Sequence, residues 1–262
     1  MKLKEKVEAF NKKIQPEGWQ MDMSFNADTQ TLINGLKYLE INSDLLLAMC
    51  LNNGYYNREN IYRMLKFALA FSNRVQIFTT DGPAKHNYLA LGKEKDKIPA
   101  VTRLARNRLR NQCNEGLQKI NAELPENEQR IITFMEWEDI YEDPAYVHSY
   151  KELKDLYVTN SEFRKDINDT SEKVLLNRMG IEKEVEAVLS IGIEYVIEEL
   201  AFISAYSKLG PTTKPISDHG AKGFSYFYYE SWSLFEKLVN GEYDQQLKEG
   251  IGFVIAKIKE LK

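Results

Sequence analysis

At 262 residues with 43% apolar side chains, the chain suits one domain with a sizeable core. No apolar run reaches transmembrane length, and its two cysteines, Cys50 and Cys113, form neither a Cys-x-x-Cys pair nor a zinc-ligand pattern, so a reduced, cytoplasmic protein without a metal site is expected. The net charge of −4 hides an asymmetry: residues 84–119 carry nine basic and three acidic side chains, a local +6, and Glu136, Glu138, Asp139, Glu142 and Asp143 follow.

The first thirteen residues are charged throughout and lack a secretory apolar core. Leu3, Val7, Phe10 and Ile14 fall at helical spacing, which predicts an amphipathic helix. Residues 18–25 read as a strand with Trp19, Met21 and Met23 on one face, and residues 29–39 mix helix and loop signals. Leu45 to Met49 is an apolar run of strand length. Asn52-Asn53-Gly54 is turn chemistry, because Asn and Gly tolerate positive φ, and Asn57 reads as the N-cap of a helix over 58–71 with Ile61, Leu65, Ala68 and Leu69 inward. Residues 74–80 form the next strand, closed by Asp81-Gly82-Pro83. Strand, helix and strand in this order imply parallel pairing through a right-handed crossover.

A short helix over 83–91 ends at Gly92. The basic helix spans 99–121, with Val101, Leu104, Leu109, Cys113 and Leu117 as an imperfect apolar stripe. Residues 130–135 are a third strand, and helical patterns follow at 145–157, 162–177 and 182–202. The Gly-, Pro-, Ser- and Thr-containing stretch 206–223 is a loop or insertion. An aromatic strand over 224–229 and helices over 233–238 and 244–261 complete the chain. Strands alternating with helices predict an α/β fold, with a mostly parallel central sheet flanked by helices in three layers. A single domain over 1–262 is expected, with residues 1–27 as an N-terminal extension.

Three groups carry candidate chemistry. Cys50 ends the first parallel strand, at the carboxyl edge where open α/β sheets bind ligands, and the following helix N-terminus can activate a thiol there. A small buried apolar residue is the alternative reading of the same position. Arg103, Arg106, Arg108 and Arg110, with Lys93, Lys95 and Lys97, are either a polyanion site or a solvated helix face, and four arginines so close favour phosphate contact. Tyr195 and Glu199, four residues apart, share a helix face with apolar neighbours. They are either a structural hydrogen bond or an acid–base pair whose carboxyl is raised by burial.

The ordered set of motifs resembles the tRNA-dependent cyclodipeptide synthases. Ala48-Met49-Cys50-Leu51-Asn52-Asn53-Gly54-Tyr55-Tyr56 is similar to that family's nucleophile turn. Asp81-Gly82-Pro83, Asn87-Tyr88-Leu89-Ala90-Leu91-Gly92, Asn107-Arg108-Leu109-Arg110-Asn111, Trp137-Glu138-Asp139-Ile140, Phe163-Arg164 and Tyr195-x-x-x-Glu199-Leu200 follow in the family's order. The resemblance implies a Rossmann-like fold related to the catalytic domains of tyrosyl- and tryptophanyl-tRNA synthetases. It implies an ATP-independent aminoacyltransferase that joins two aminoacyl-tRNAs into a 2,5-diketopiperazine through a covalent aminoacyl-enzyme, without cofactor or membrane and as a monomer. By position, Cys50 takes the place of the family's serine nucleophile and Asn53 its turn asparagine. Tyr195 and Glu199 match the pair that holds the substrate amine and moves its proton. Tyr228 or Tyr229 matches the relay tyrosine of cyclisation. Leu46, Ala48, Phe202 and Tyr226 line the first aminoacyl pocket, and the three lysines and four arginines contact tRNA. The chain departs from the family pattern at Cys50, at Ala48 for a glycine, at Ala201 for a proline, and in the length of 206–223.

Two other functions fit parts of this pattern. A non-catalytic RNA-binding module would keep the basic helix alone. A cysteine hydrolase would pair Cys50 with His86, His148 or His219.

Overall fold

The computed structural model describes residues 3–22, 45–49, 51, 54–71, 74–181, 185–207, 234, 237–238, 241–243 and 257–261. Helix α1 (Leu3–Ile14) buries Val7, Phe10 and Ile14 along the expected stripe. A single 3₁₀ turn with Pro16 follows, and Gly18 at φ +78° releases the chain into β1 (Trp19–Asp22). Trp19 and Met21 are buried on one face as predicted, while Met23 lies outside the described residues.

β1 pairs antiparallel with β5 (Lys257–Glu260), with Met21 opposite Ile258. This corrects the end of the helix predicted over 244–261: residues 257–260 are a strand, and 244–256 lie outside the described residues. Lys-Ile-Lys-Glu alternates with period 2, so Ile258 packs against the core while β5 pairs an otherwise open edge of β1. Of the predicted helix over 233–238, Leu234, Lys237 and Leu238 are helical. The predicted strand over 224–229 and residues 29–39 lie outside the described residues; of the predicted loop over 206–223, Tyr206 and Ser207 instead end the long helix over 185–207, and 208–223 lie outside the described residues.

The central sheet runs β2 (Leu45–Met49), β3 (Arg74–Thr79), β4 (Ile131–Met135), all parallel. Between β2 and β3 lies α2 (Arg58–Phe71), whose first turn is capped by Asn57 Oδ1 accepting from the Asn60 N–H at 3.0 Å. The side chains of β3 are buried on both faces, as a parallel strand between helical layers requires. Val75 and Ile77 face α1, α2 and the basic helix, and Phe78 faces the later helices.

Helix α3 (Asp81–Ala90) begins two residues before the predicted start, because Pro83 sits in the first turn, where a missing N–H costs nothing. The basic helix α4 (Ile98–Ala122) buries Leu109, Cys113, Gly116 and Ile120. Leu104, expected in that stripe, is 70% exposed, since five residues before Leu109 lies about 140° around the helix. Gly116 lets α4 approach α2: a Cβ there would stand 3.2 Å from Leu65 and 3.5 Å from the Tyr62 backbone.

After β4 come α5 (Trp137–Glu142), α6 (Pro144–Thr159), α7 (Ser161–Met179) and α8 (Val185–Ser207). Asp143 and Asn160 cap α6 and α7 through their side-chain oxygens. The second face of the sheet packs on α8 and its neighbours through Phe78, Met135, Trp137, Tyr195, Ile197 and Phe202. The architecture is the expected α/β one, a parallel sheet between two helical layers. No helix among the described residues is long and apolar enough to cross a membrane.

Candidate active site

The carboxyl edge of the sheet is organised around the end of β2. The Thr80 N–H donates to Met49 O at 3.1 Å, one step beyond the last paired residues, and so fixes the backbone that leads into Cys50. Cys50, Asn53, Tyr226, Tyr228 and Tyr229 lie outside the described residues, as do the side chains of Leu46 and Ala48. The backbones of Leu46 and Ala48 are placed: they pair with Gln76 and Phe78.

Phe78 links this edge to α8. Its ring stacks on Phe202, with centroids 3.5 Å apart and planes 5° from parallel, and both rings are buried. Trp137 abuts both and donates from its indole N–H to Thr79 O at 2.7 Å. Phe202, expected from the sequence as a pocket residue, is therefore joined by Phe78 and Trp137, which were given no site role there. The missing signal was cross-strand register, because only pairing places Phe78 opposite Ala48.

On α8, Tyr195 and Glu199 are buried one turn apart, at 1% and 3% exposure, and Phe202 continues the stripe. The adjacent stripe carries two carboxylates that were not singled out. Glu198 accepts from Lys85 Nζ at 2.9 Å and lies 3.1 Å from His86 Nε2 at one oxygen, and it accepts from the Tyr141 hydroxyl at 2.9 Å at the other. Burial raises the Glu198 carboxyl, but hydrogen bonding and charge from His86, then Lys85, outweigh it and hold the group below the usual carboxylate range. Glu194 accepts from the Tyr150 hydroxyl at 2.8 Å and pairs with Lys154. Burial, then the nearby Glu198 charge, drives the Tyr141 phenol far up, so it stays a donor.

The basic block divides. Arg103, Arg108, Lys93, Lys95 and Lys97 are exposed. Arg106 and Arg110 are turned inward, contrary to a uniform phosphate-facing set. Arg106 donates to Asp81 Oδ2 at 3.0 Å and Glu136 at 3.3 Å, and Arg110 grips Glu136 with two bonds of 2.7 and 2.9 Å. Glu136 directly follows β4, so the acidic run in the sequence meets the basic helix across the sheet edge. The hydrogen bond and charge of Arg110 keep the Glu136 carboxyl low against burial. Asp81 is pushed up by burial, opposed by hydrogen bonds from Thr79 and the charge of Arg106. Beside the exposed arginines, Asn57, Arg58, Leu104, Asn107, Arg108 and Asn111 line a groove of about 880 Å³ between α2 and α4.

Cys113 is fully buried with its Sγ 3.7 Å from Met49 Sδ, and burial pushes its thiol up to about 12, so it is inert. His148 is exposed and pairs with Glu152, His86 is engaged by Glu198, and His219 lies outside the described residues. No group of three or more His, Cys, Asp or Glu side chains among the described residues is placed to hold a metal ion.

A family profile described as cyclodipeptide synthase matches residues 37–257. No curated protein matches the sequence. Solved structures do match the fold. A cyclodipeptide synthase from Bacillus thermoamylovorans is 18% identical with a TM-score of 0.72, over 95% of this chain and 100% of that one. One from Staphylococcus haemolyticus is 16% identical with a TM-score of 0.66, over 93% and 99%. A Mycobacterium tuberculosis protein is 15% identical with a TM-score of 0.61, over 93% and 94%, and its structure demonstrates that cyclodipeptide synthetases are related to type I tRNA synthetases. The fold is thus the Rossmann-like one expected, and because the profile spans most of the sequence, including β2, α4 and α8, the chain belongs to the cyclodipeptide synthase family of enzymes, which make cyclodipeptides.

Proposed function

We propose that the enzyme takes two aminoacyl-tRNAs and joins their aminoacyl groups through an acyl chain carried on Cys50. The observation that supports this most is the aromatic bridge between β2 and α8. Ala48, two residues before Cys50, pairs with Phe78, and Phe78 stacks on Phe202, one turn beyond Glu199. The strand that leads to Cys50 and the helix that carries Tyr195 and Glu199 share this aromatic contact.

The chemistry runs in three acyl transfers. The Cys50 thiol gives up its proton as its sulfur attacks the ester carbonyl of the first aminoacyl-tRNA, the ester C–O bond breaks, and the tRNA leaves with that proton on its terminal hydroxyl. The amino group of the thioester then attacks the second ester carbonyl, releasing the second tRNA and leaving a dipeptidyl-enzyme. The new terminal amine attacks the thioester carbonyl, which frees the thiol and closes the diketopiperazine. Tyr195 and Glu199 hold the amine of the first residue, and Glu199 accepts its proton. Tyr228 or Tyr229 relays the proton of ring closure. Asn53 steadies the nucleophile turn, and Leu46, Ala48, Phe202 and Tyr226, with Phe78 beneath, line the first pocket. The tRNA esters arrive activated, so no nucleotide is consumed. Arg103, Arg108 and the three lysines meet the phosphates.

The test is product formation from charged tRNA. The parent yields a diketopiperazine and an acyl adduct on Cys50. Cys50→Ala loses both and Cys50→Ser retains product; unchanged product from Cys50→Ala would overturn the assignment.

A further inference from the structure

We propose that Glu198 is a positioning residue: held by Lys85, His86 and Tyr141, it fixes the rotation of α8 and thereby the placement of Tyr195 and Glu199. This rests on the reading of Tyr195 and Glu199 as the amine-holding pair. Successive residues on a helix are about 100° apart, so the stripe of Glu194 and Glu198 lies beside that of Tyr195 and Glu199.

The central turns of α8 are buried almost all round, through Val196, Ile197, Leu200 and Ala201 as well as Phe202. Apolar contacts of this kind are exchangeable and set the rotation of a helix weakly. A buried carboxylate is not exchangeable, because left unpaired it keeps the full cost of its desolvation. Glu198 is 6% exposed and is met by donors from two separate elements, Lys85 and His86 on α3 and Tyr141 on α5. Lys85 also donates to the Tyr141 hydroxyl at 2.8 Å, which closes the cluster. One turn earlier, Tyr150 and Lys154 of α6 hold Glu194 in the same way. Three elements therefore grip one side of α8 through charge-assisted hydrogen bonds, and only one rotation satisfies them all. That rotation turns Tyr195 and Glu199 about 100° away from the clamp, onto the stripe shared with Phe202 and hence towards the end of β2.

The reaction offers a readout that stability alone does not move. In the dipeptidyl-enzyme the amine competes with water for the thioester carbonyl, giving cyclic product or, by hydrolysis, linear dipeptide and free thiol. The ratio of linear to cyclic product does not depend on how much enzyme is folded. A misplacement of about 1 Å can cost on the order of 100-fold in rate. Glu198→Gln, assayed at 20 °C with charged tRNA, is expected to lower cyclic product at least about tenfold and to raise the linear fraction several-fold. Lys85→Met should do the same and Lys85→Arg should restore the parental ratio. Where Glu198→Gln fails to fold, Tyr141→Phe removes one hydrogen bond and shifts the ratio in the same direction.

Folded Glu198→Gln with the parental ratio, or a loss of product explained wholly by lower melting temperature at an unchanged ratio, overturns the proposal. For Tyr141→Phe, used where Glu198→Gln does not fold, an unchanged ratio does the same. Glu199→Gln separates the two readings. If it is fully active, the role given to the Tyr195 and Glu199 pair is wrong. If it is inactive while Glu198→Gln behaves as the parent, only the positioning role falls.

Discussion

Gly82→Ala tests how tightly the edge of the sheet is built. A Cβ at residue 82 would stand 2.3 Å from Trp137 Cδ2, 2.5 Å from Cγ and 2.8 Å from Cε3, all well inside contact distance. The indole has little room to retreat. Its N–H donates to Thr79 O at 2.7 Å, and its ring is packed against Phe78, Tyr141, Tyr146 and Phe202. Overpacking costs about 1–3 kcal/mol, and weakening the indole hydrogen bond adds about 1 kcal/mol. Replacing a helical glycine returns up to about 1 kcal/mol, and less in the first turn of α3. The net is a loss of about 2–3 kcal/mol, or about 4–12 °C in melting temperature for a chain of this size. Thermal unfolding followed by circular dichroism measures it, and product yield should fall because Phe78 and Phe202 share the displaced indole. Adding Trp137→Leu to Gly82→Ala should make the two changes less than additive. A Gly82→Ala protein that melts at or above the parental temperature would refute the reasoning.

The arginines of α4 should separate into two kinds. Arg103→Ala and Arg108→Ala leave the melting temperature within about 2 °C of the parent, since exposed sites contribute little, but weaken tRNA binding and shallow its salt dependence by filter binding. Arg106→Ala and Arg110→Ala each lower the melting temperature, because Asp81 or Glu136 loses a half-buried partner. In acid, stability should fall. The Glu198 carboxyl sits lower in the folded chain than in the unfolded one, so its contribution is present at neutral pH and is lost as pH falls through the folded value. Glu136 and Glu194 act in the same direction and Asp81 in the opposite one, and Glu198→Gln should flatten the acid limb of a melting-temperature profile. Iodoacetamide at pH 8 should label Cys50 and spare Cys113 in the native protein, by mass spectrometry of peptides, since Cys113 titrates only at about 12.

What the sequence made legible was what depends on local spacing. The stripe of α1, the run Leu45 to Met49, the cap at Asn57 and the inward face of α2 all follow from periodicity and short-range hydrogen bonding, and each is found as expected. What it hid depends on partners far along the chain. Lys-Ile-Lys-Glu at the C-terminus has helical composition, and becomes a strand because β1 is there to pair with it. Leu104 looked apolar enough to be inside, yet its phase on α4 puts it in solvent. Of the candidate site, Tyr195, Glu199 and Phe202 were legible as one helix face, whereas Phe78 needed the strand register and Glu198 needed the fold of α3 and α5 around it.

The charge pattern carries the same distinction further. A +6 block beside an acidic run reads, in one dimension, as two surfaces of opposite sign. In the fold the two runs meet where β4 ends, and Glu136 takes up Arg110 and shares Arg106 with Asp81. Arg106 and Arg110 are four residues apart and so share the face turned to the sheet, while Arg108 lies about 160° round from Arg106. The helix that offers positive charge outward is thus fastened to the carboxyl edge by positive charge inward. Asp81, which receives that charge, opens α3, the helix that carries Lys85 and His86 to Glu198. Two sets of ionic contacts therefore meet on α3: Asp81 at its start holds Arg106 of α4, and Lys85 and His86 farther along hold Glu198 of α8. The surface assigned to the nucleic acid and the helix assigned to the reacting amine are thus each fastened by ion pairs to α3.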